Sequence, residues 1–133
     1  MTNIIKISEK DKVFQIATKK GWVEMYGIQV TIDGICFAIY PQKYENNTCI
    51  QVSEVESGAT VLIYQFAFIG LLMLDTRDKT IEYYKDKIIP LIQKKIEVNG
   101  LDKFRKAVEK AKNYMIETHG ERPEIKDIEE ENE

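Results

Sequence analysis

The 133-residue chain is long enough for one domain with a real core, and its 44% hydrophobic and 31% charged content argues against a disordered or fibrous protein. The net charge of −3 conceals an asymmetry: residues 1–75 carry 6 basic and 8 acidic side chains, residues 76–112 carry 11 and 6, and residues 113–133 carry 2 and 8. A basic stretch followed by an acidic end can bind each other, bind separate partners, or form solvated helix faces and a soluble tail.

The opening MTNIIKISEKDK lacks the unbroken apolar core of a signal peptide, so a cytoplasmic protein is expected. The next stretch, SEKDKVFQIATKKGW, has two readings. Ser8 with Asp11 resembles a helix start that Gly21 would close. Val13, Phe14, Ile16 and Thr18 instead favour a strand turning at Lys19-Lys20-Gly21, and the strand is preferred.

GIQVTIDGICFAIY carries the strongest local signal. Asp33-Gly34 separates two β-rich runs as a two-residue hairpin loop, because glycine accepts positive φ cheaply. Counting outward pairs Ile32 with Ile35, Val30 with Phe37 and Ile28 with Ile39, all on one side. Gln29, Thr31, Cys36, Ala38 and Tyr40 take the other, as in a sheet covered mainly on one face. Pro41, lacking a donor, should end the second strand. YENNT reads as a loop, in which the Asn46-Asn47-Thr48 sequon is ordinary loop chemistry. CIQVSEV is a third strand, and Glu56-Ser57-Gly58 turns the chain.

TVLIYQFAFIGLLML, Thr60 to Leu74, holds no charge. It is shorter than the roughly 20 apolar residues that span a bilayer, so no membrane segment is expected. As a single strand it would reach about 50 Å, so it must break, near Gly70. Its first part is a strand, and its second part is another strand or the start of a helix. Val61, Ile63 and Ala67 alternate with Leu62, Tyr64, Phe66 and Phe68, so both faces are apolar. The C-terminal helices can cover only one. The other needs an N-terminal element, a second copy of the chain or another protein. Val61, Ile63, Tyr64, Phe66 and Phe68 are therefore the candidate partner-binding residues.

Asp75 and Asp78 flank Thr76, a helix cap. Ile81, Tyr84, Ile88, Leu91 and Ile96 follow at helical spacing, with a kink or break expected at Pro90. After Asn99-Gly100, a second helix bears a stripe of Leu101, Phe104, Val108, Ala111 and Met115, and Gly120 stops it. Residues 1–120 thus form one domain, and 121–133 an acidic tail expected to be mobile.

Groups that carry chemistry are sparse. His119, the single histidine, sits at a helix end, where as a cation it eases the helix dipole and has no evident helper as a base. There is no GxSxG, no phosphate-cradling glycine motif and no metal-ligand spacing. Cys36 and Cys49, 13 apart without CxxC, fit reduced thiols. Glu54 and Glu56 alternate at a strand end, where exposed edge charge explains them better than acid–base work. No enzymatic activity and no cofactor or metal are expected. Lys94, Lys95, Lys103, Arg105, Lys106 and Lys110, continued by Lys112, are candidate anion-binding residues for nucleic acid, although acids intervene and the pI is about 5.3. Glu129, Glu130, Glu131 and Glu133 suggest nucleic-acid mimicry, which a frayed end would perform poorly.

VSEVESG, Val52 to Gly58, followed by a strand and then DTRDKTIEYYKDKI, resembles a pattern in small phage and mobile-element proteins. There a V-S-E-x-x-[ST]-G turn precedes a strand and a helix opening T-x-x-x-x-[AI]. HicB-type antitoxins share this strand–strand–helix logic, with a glycine-rich link where this chain has a long apolar stretch and one helix where it has two. The resemblance covers about 30 residues and carries over no residue role. It implies a small sheet packed by helices, a mobile-element origin, and docking on a larger defence or regulatory machine.

The expectation is an α+β fold: an antiparallel meander of four or five strands followed by two C-terminal helices packed on one face. The expected function is non-enzymatic protein binding, of the kind that inhibits or regulates a nucleic-acid-handling host complex. A nucleic-acid-binding antitoxin-like module and a self-assembling structural protein are the alternatives. The partners are another protein or a second copy of the chain, with nucleic acid next and no membrane.

Overall fold

Hairpins with two-residue loops organise the first half of the chain. The computed structural model describes residues 5–8, 10–44, 47–65, 76–124 and 126–127. A short strand β1 (Ile5–Ile7) precedes β2 (Lys12–Thr18), β3 (Gly21–Ile32), β4 (Ile35–Tyr44), β5 (Asn47–Glu54) and β6 (Thr60–Gln65). Three helical segments follow: α1 (Arg77–Tyr83), α2 (Ile89–Asn99) and α3 (Leu101–His119), with a strand β7 (Lys126–Asp127) after them. The fold is α+β, an antiparallel meander with C-terminal helices on one face.

The sheet order is β6-β5-β4-β3-β2-β7, with β1 pairing the second half of β3. Asp33 and Gly34 both take positive φ, 50° and 85°, and set the expected register: Ile32 opposite Ile35, Val30 opposite Phe37, Ile28 opposite Ile39. The preferred strand reading of residues 12–18 is the one the structure takes, and Thr18 pairs with Gly21 across Lys19-Lys20.

The helix-side core joins Ile28, Val30, Ile32, Phe37, Ile39, Ile50 and Val52 of the sheet to Tyr84, Ile88, Ile89, Ile92 and Ile96. The opposite face is covered too, which corrects the expectation of a sheet covered mainly on one side. Phe14 and Ile16 of β2 pack with Ala38 and Tyr40 of β4 and with Val55. The cause lies at Gly27. There β3 stops pairing with β4 and continues paired with β2. A Cβ at Gly27 would lie 2.6 Å from the Ile39 carbonyl oxygen, so only glycine lets the strand bend this close. β2 and the first half of β3 thereby curl over the back of β4. The Ala17 amide donates to the Gly58 carbonyl at 3.0 Å and fixes the curl to the β5–β6 turn.

Pro41 does not end β4, which runs on paired with β5 through Tyr44 opposite Asn47. From the hairpin, alternate residues 35, 37, 39 and 41 turn their backbone groups toward β3, and β3 pairing ends at Ile39. The missing donor of Pro41 therefore falls where no ladder bond is needed. The same pairing puts Tyr44, Asn47 and Thr48 of the expected YENNT loop in strands, and residues 45 and 46 lie outside the described residues.

Thr76 caps α1, its Oγ1 accepting from the Lys79 amide at 3.2 Å. A π-helical turn over Tyr84–Ile88 separates α1 from α2, and Pro90 lies in the first turn of α2. The Ile89 amide donates to the Tyr84 carbonyl, five residues back, so the wider turn absorbs the break expected of the proline. The extra residue also rephases the helix. Ile89 and Ile92 are buried, whereas Leu91, expected on the inner stripe, is 39% exposed.

On α3 the expected stripe of Leu101, Phe104, Val108, Ala111 and Met115 is half-buried throughout, and no residue of the helix is fully buried. No described helix is long and apolar enough to cross a membrane. Of the stretch expected to be a mobile tail, Lys126 and Asp127 pair with Val13 and Lys12, and residues 125 and 128–133 lie outside the described residues.

Candidate functional site

Among the described residues β6 pairs with β5 alone and stands at the end of the strand order. A bulge alters its faces. Val52 pairs with Leu62 and Ser53 with Thr60, which leaves Val61 as the extra residue. Val61 therefore packs on the helix-side core together with Leu62 and Tyr64, and does not share the face of Ile63. Its carbonyl accepts from Lys95 Nζ at 2.7 Å, a lysine placed where edge strands commonly carry one. Tyr64 meets Tyr83 with ring centroids 6.3 Å apart and planes at 67°. Burial, then a hydrogen bond and charge from Tyr64, push the Tyr83 phenol up to about 12. Ile63, opposite Gln51 and 49% exposed, is the one expected contact residue presented outward within the described set. Phe66 and Phe68 lie outside the described residues, as does the expected break near Gly70.

The candidate anion-binding residues divide. Arg105 Nη2 donates to the Asp33 carbonyl at 2.6 Å, Lys112 sits 4.0 Å from Glu56 Oε2, and Lys95 serves Val61. These three tie helices to the sheet, at two turns and at the β6 bulge. Lys103, Lys106 and Lys110 are exposed and follow at i, i+3 and i+7 on the outer face of α3, and Lys94 is exposed on α2.

Glu54 is not an exposed edge charge. It is 2% exposed, and its two carboxylate oxygens accept from the Glu56 and Ser57 amides at 2.8 and 2.7 Å. It closes the β5–β6 turn, and Glu56 points instead toward Lys112. Cys36 and Cys49 are both free, and burial pushes the Cys49 thiol up. Among the described residues no group of three or more His, Cys, Asp or Glu side chains could hold a metal ion.

No protein-family model matches this chain, and no curated protein or solved structure matches it.

Trp22, not singled out from the sequence, closes the far end of α3. Its Nε1 donates to the Gly120 carbonyl at 3.1 Å, and its ring meets the His119 imidazole edge-on, with centroids 6.0 Å apart. Its being the single tryptophan was the only local signal, since the partners lie 98 residues away.

Proposed function

We propose that this chain is a non-enzymatic protein-binding module whose docking surface centres on the outward face of β6. The observation that supports the reading is Ile63: a β-branched apolar side chain, half exposed, on a strand that among the described residues pairs on one side only and could be extended by a partner. The resemblance of Val52–Gly58 to small mobile-element proteins points the same reading toward inhibition or regulation of a nucleic-acid-handling host complex. The test is affinity purification of the tagged chain beside an Ile63→Lys variant, with direct binding measured on whatever is captured. A partner retained by the parent chain and lost by the variant supports the proposal. No specific partner, or one held equally by both, defeats it. Light scattering on the same samples separates a second copy of the chain, or self-assembly, from a different protein.

A second reading is favoured by the outward row of Lys103, Lys106 and Lys110. Three lysines along one helix face suit phosphates, and such binding weakens as salt rises. Retardation of DNA or RNA at low salt that disappears when all three become Glu would support it. No retardation at low salt would dispose of it.

A further inference from the structure

The C-terminal half of α3 does not close onto the sheet. It spans a cleft of about 760 Å³ whose other wall is the end of β2 and whose floor is β4 and β5. This explains why a 19-residue amphipathic helix has no fully buried residue: Leu101 and Phe104 reach the helix-side core, whereas Met115 borders open space. The helix is held over the cleft by Arg105 to the Asp33 carbonyl near its start and Trp22 to the Gly120 carbonyl at its end, with Lys112 beside Glu56 between them. A cleft under a helix tied at several points is preformed, as small-molecule sites generally are, and its volume lies within their range of roughly 300–1,000 Å³.

The lining has a definite chemistry. Met25 and Met115 supply polarisable sulfurs and the exposed Tyr114 supplies a ring face, a combination that favours a flat aromatic body, while the fully buried Tyr40 lies beneath the floor. The Tyr40 hydroxyl is engaged with Ser53 Oγ at 2.8 Å, so its ring is held in place. Lys19 and His119 stand on the cleft lining, and no carboxylate is found among the described residues that line it. In a chain of net charge −3, a cleft whose described lining holds the ammonium of Lys19 and no carboxylate selects for negative charge. We propose that this cleft binds a flat aromatic anion, a ring system bearing one carboxylate or sulfonate, with the ring against Met25, Met115 and Tyr114 and the anionic group toward Lys19.

The test uses the full chain and 8-anilinonaphthalene-1-sulfonate as probe. Trp22, which touches His119 in the cleft wall, is the single tryptophan and reports proximity by energy transfer to the bound dye. The expected result is saturable binding of one dye per chain, with quenching of Trp22 emission and unchanged near- and far-UV circular dichroism. Lys19→Glu, in an exposed turn, should weaken the affinity by about tenfold or more, because it replaces attraction with repulsion at the anion. Thr118→Phe, at an exposed helix position on the cleft, should block binding sterically while the dichroism stays native. Ile63→Lys should leave binding unchanged, which separates this site from the β6 surface. Enhancement that does not saturate, binding that accompanies loss of tertiary dichroism, or an affinity that either cleft variant leaves unchanged would overturn the proposal.

Discussion

Trp22 and Gly58 are in mutual contact across the curl of the sheet: a Cβ added at Gly58 would lie 2.6 Å from Trp22 Cζ3. The same residue that pins α3 through the Gly120 carbonyl thus also packs on the β5–β6 turn, whose Gly58 carbonyl receives the Ala17 amide. Three elements distant in sequence, the start of β3, the β5–β6 turn and the end of α3, meet around one indole.

Trp22→Phe removes the indole donor and part of the ring contact with His119. A lost hydrogen bond of this kind costs about 1 kcal/mol, so a fall of a few degrees in Tm is expected. Gly58→Ala should cost more. Gly58 has φ +71°, and its Cβ would also meet the Ala17 amide nitrogen at 2.9 Å and the Gln15 carbonyl oxygen at 3.0 Å. Backbone strain alone contributes roughly 1–3 kcal/mol. Shortening Trp22 relieves only the side-chain clash, so the double variant should remain less stable than Trp22→Phe by most of the Gly58→Ala cost. Denaturant titration of the four proteins checks this, and a double variant as stable as Trp22→Phe alone would contradict it.

Glu54→Ala leaves the Glu56 and Ser57 amides without their acceptor, and Ser57 is 1% exposed. Hydrogen bonds to a charged group are worth about 1.5–3 kcal/mol each, and a buried unsatisfied donor adds to the loss. The expected result is a clear drop in the denaturation midpoint, partly restored in Glu54→Gln, which keeps one acceptor oxygen. Equal stability of the Ala and Gln variants would show that the carboxylate does not close the turn.

The residues that set local geometry were readable and those that set long-range geometry were not. Asp33-Gly34 fixed the phase of β3 and β4, so every pair in that hairpin followed from counting, and Thr76 marked its helix because a cap acts within three residues. The covered back face was missed because β2 reaches β4 only through the bend at Gly27, a glycine whose crowding by Ile39 cannot be seen in the sequence. The Val61 bulge and the π turn before Pro90 each add one residue to a period, and that single step moved Val61 inward and Leu91 outward. The same holds for the candidate sites. The lysine stripe was legible as composition, but Arg105, Lys112 and Lys95 found partners at Asp33, Glu56 and Val61, far away in the chain.

The two thiols should differ in reactivity. Cys36 is half-buried with Thr31 Oγ1 3.5 Å away, whereas Cys49 is 2% exposed and its thiol is raised by burial. The thiolate is the reactive form, so a disulfide reagent should modify Cys36 in the native protein and reach Cys49 only on unfolding. Mass spectrometry of native and denatured samples distinguishes the sites. Equal native labelling of both would contradict the burial of Cys49.

Alkaline pH should loosen the helix-side core through its tyrosines. Tyr84 is 3% exposed, and burial, reinforced by the charge of Asp11, raises its phenol above the ordinary value. Tyr83 is pushed up to about 12, first by burial and then by Tyr64. In the unfolded chain both phenols ionise near pH 10, as tyrosine does in water at about that value. Above that pH the unfolded chain releases protons that the native protein retains, so stability is fully present below about pH 10 and falls as pH rises toward 12. Phenolate absorbance should show Tyr83 and Tyr84 ionising above the ordinary tyrosine range, with cooperative loss of helical dichroism as they do. Tyr84→Phe should flatten the alkaline limb of the stability curve, at the cost of whatever its hydroxyl contributes near neutrality. An alkaline limb as steep in this variant as in the parent would remove Tyr84 from the explanation.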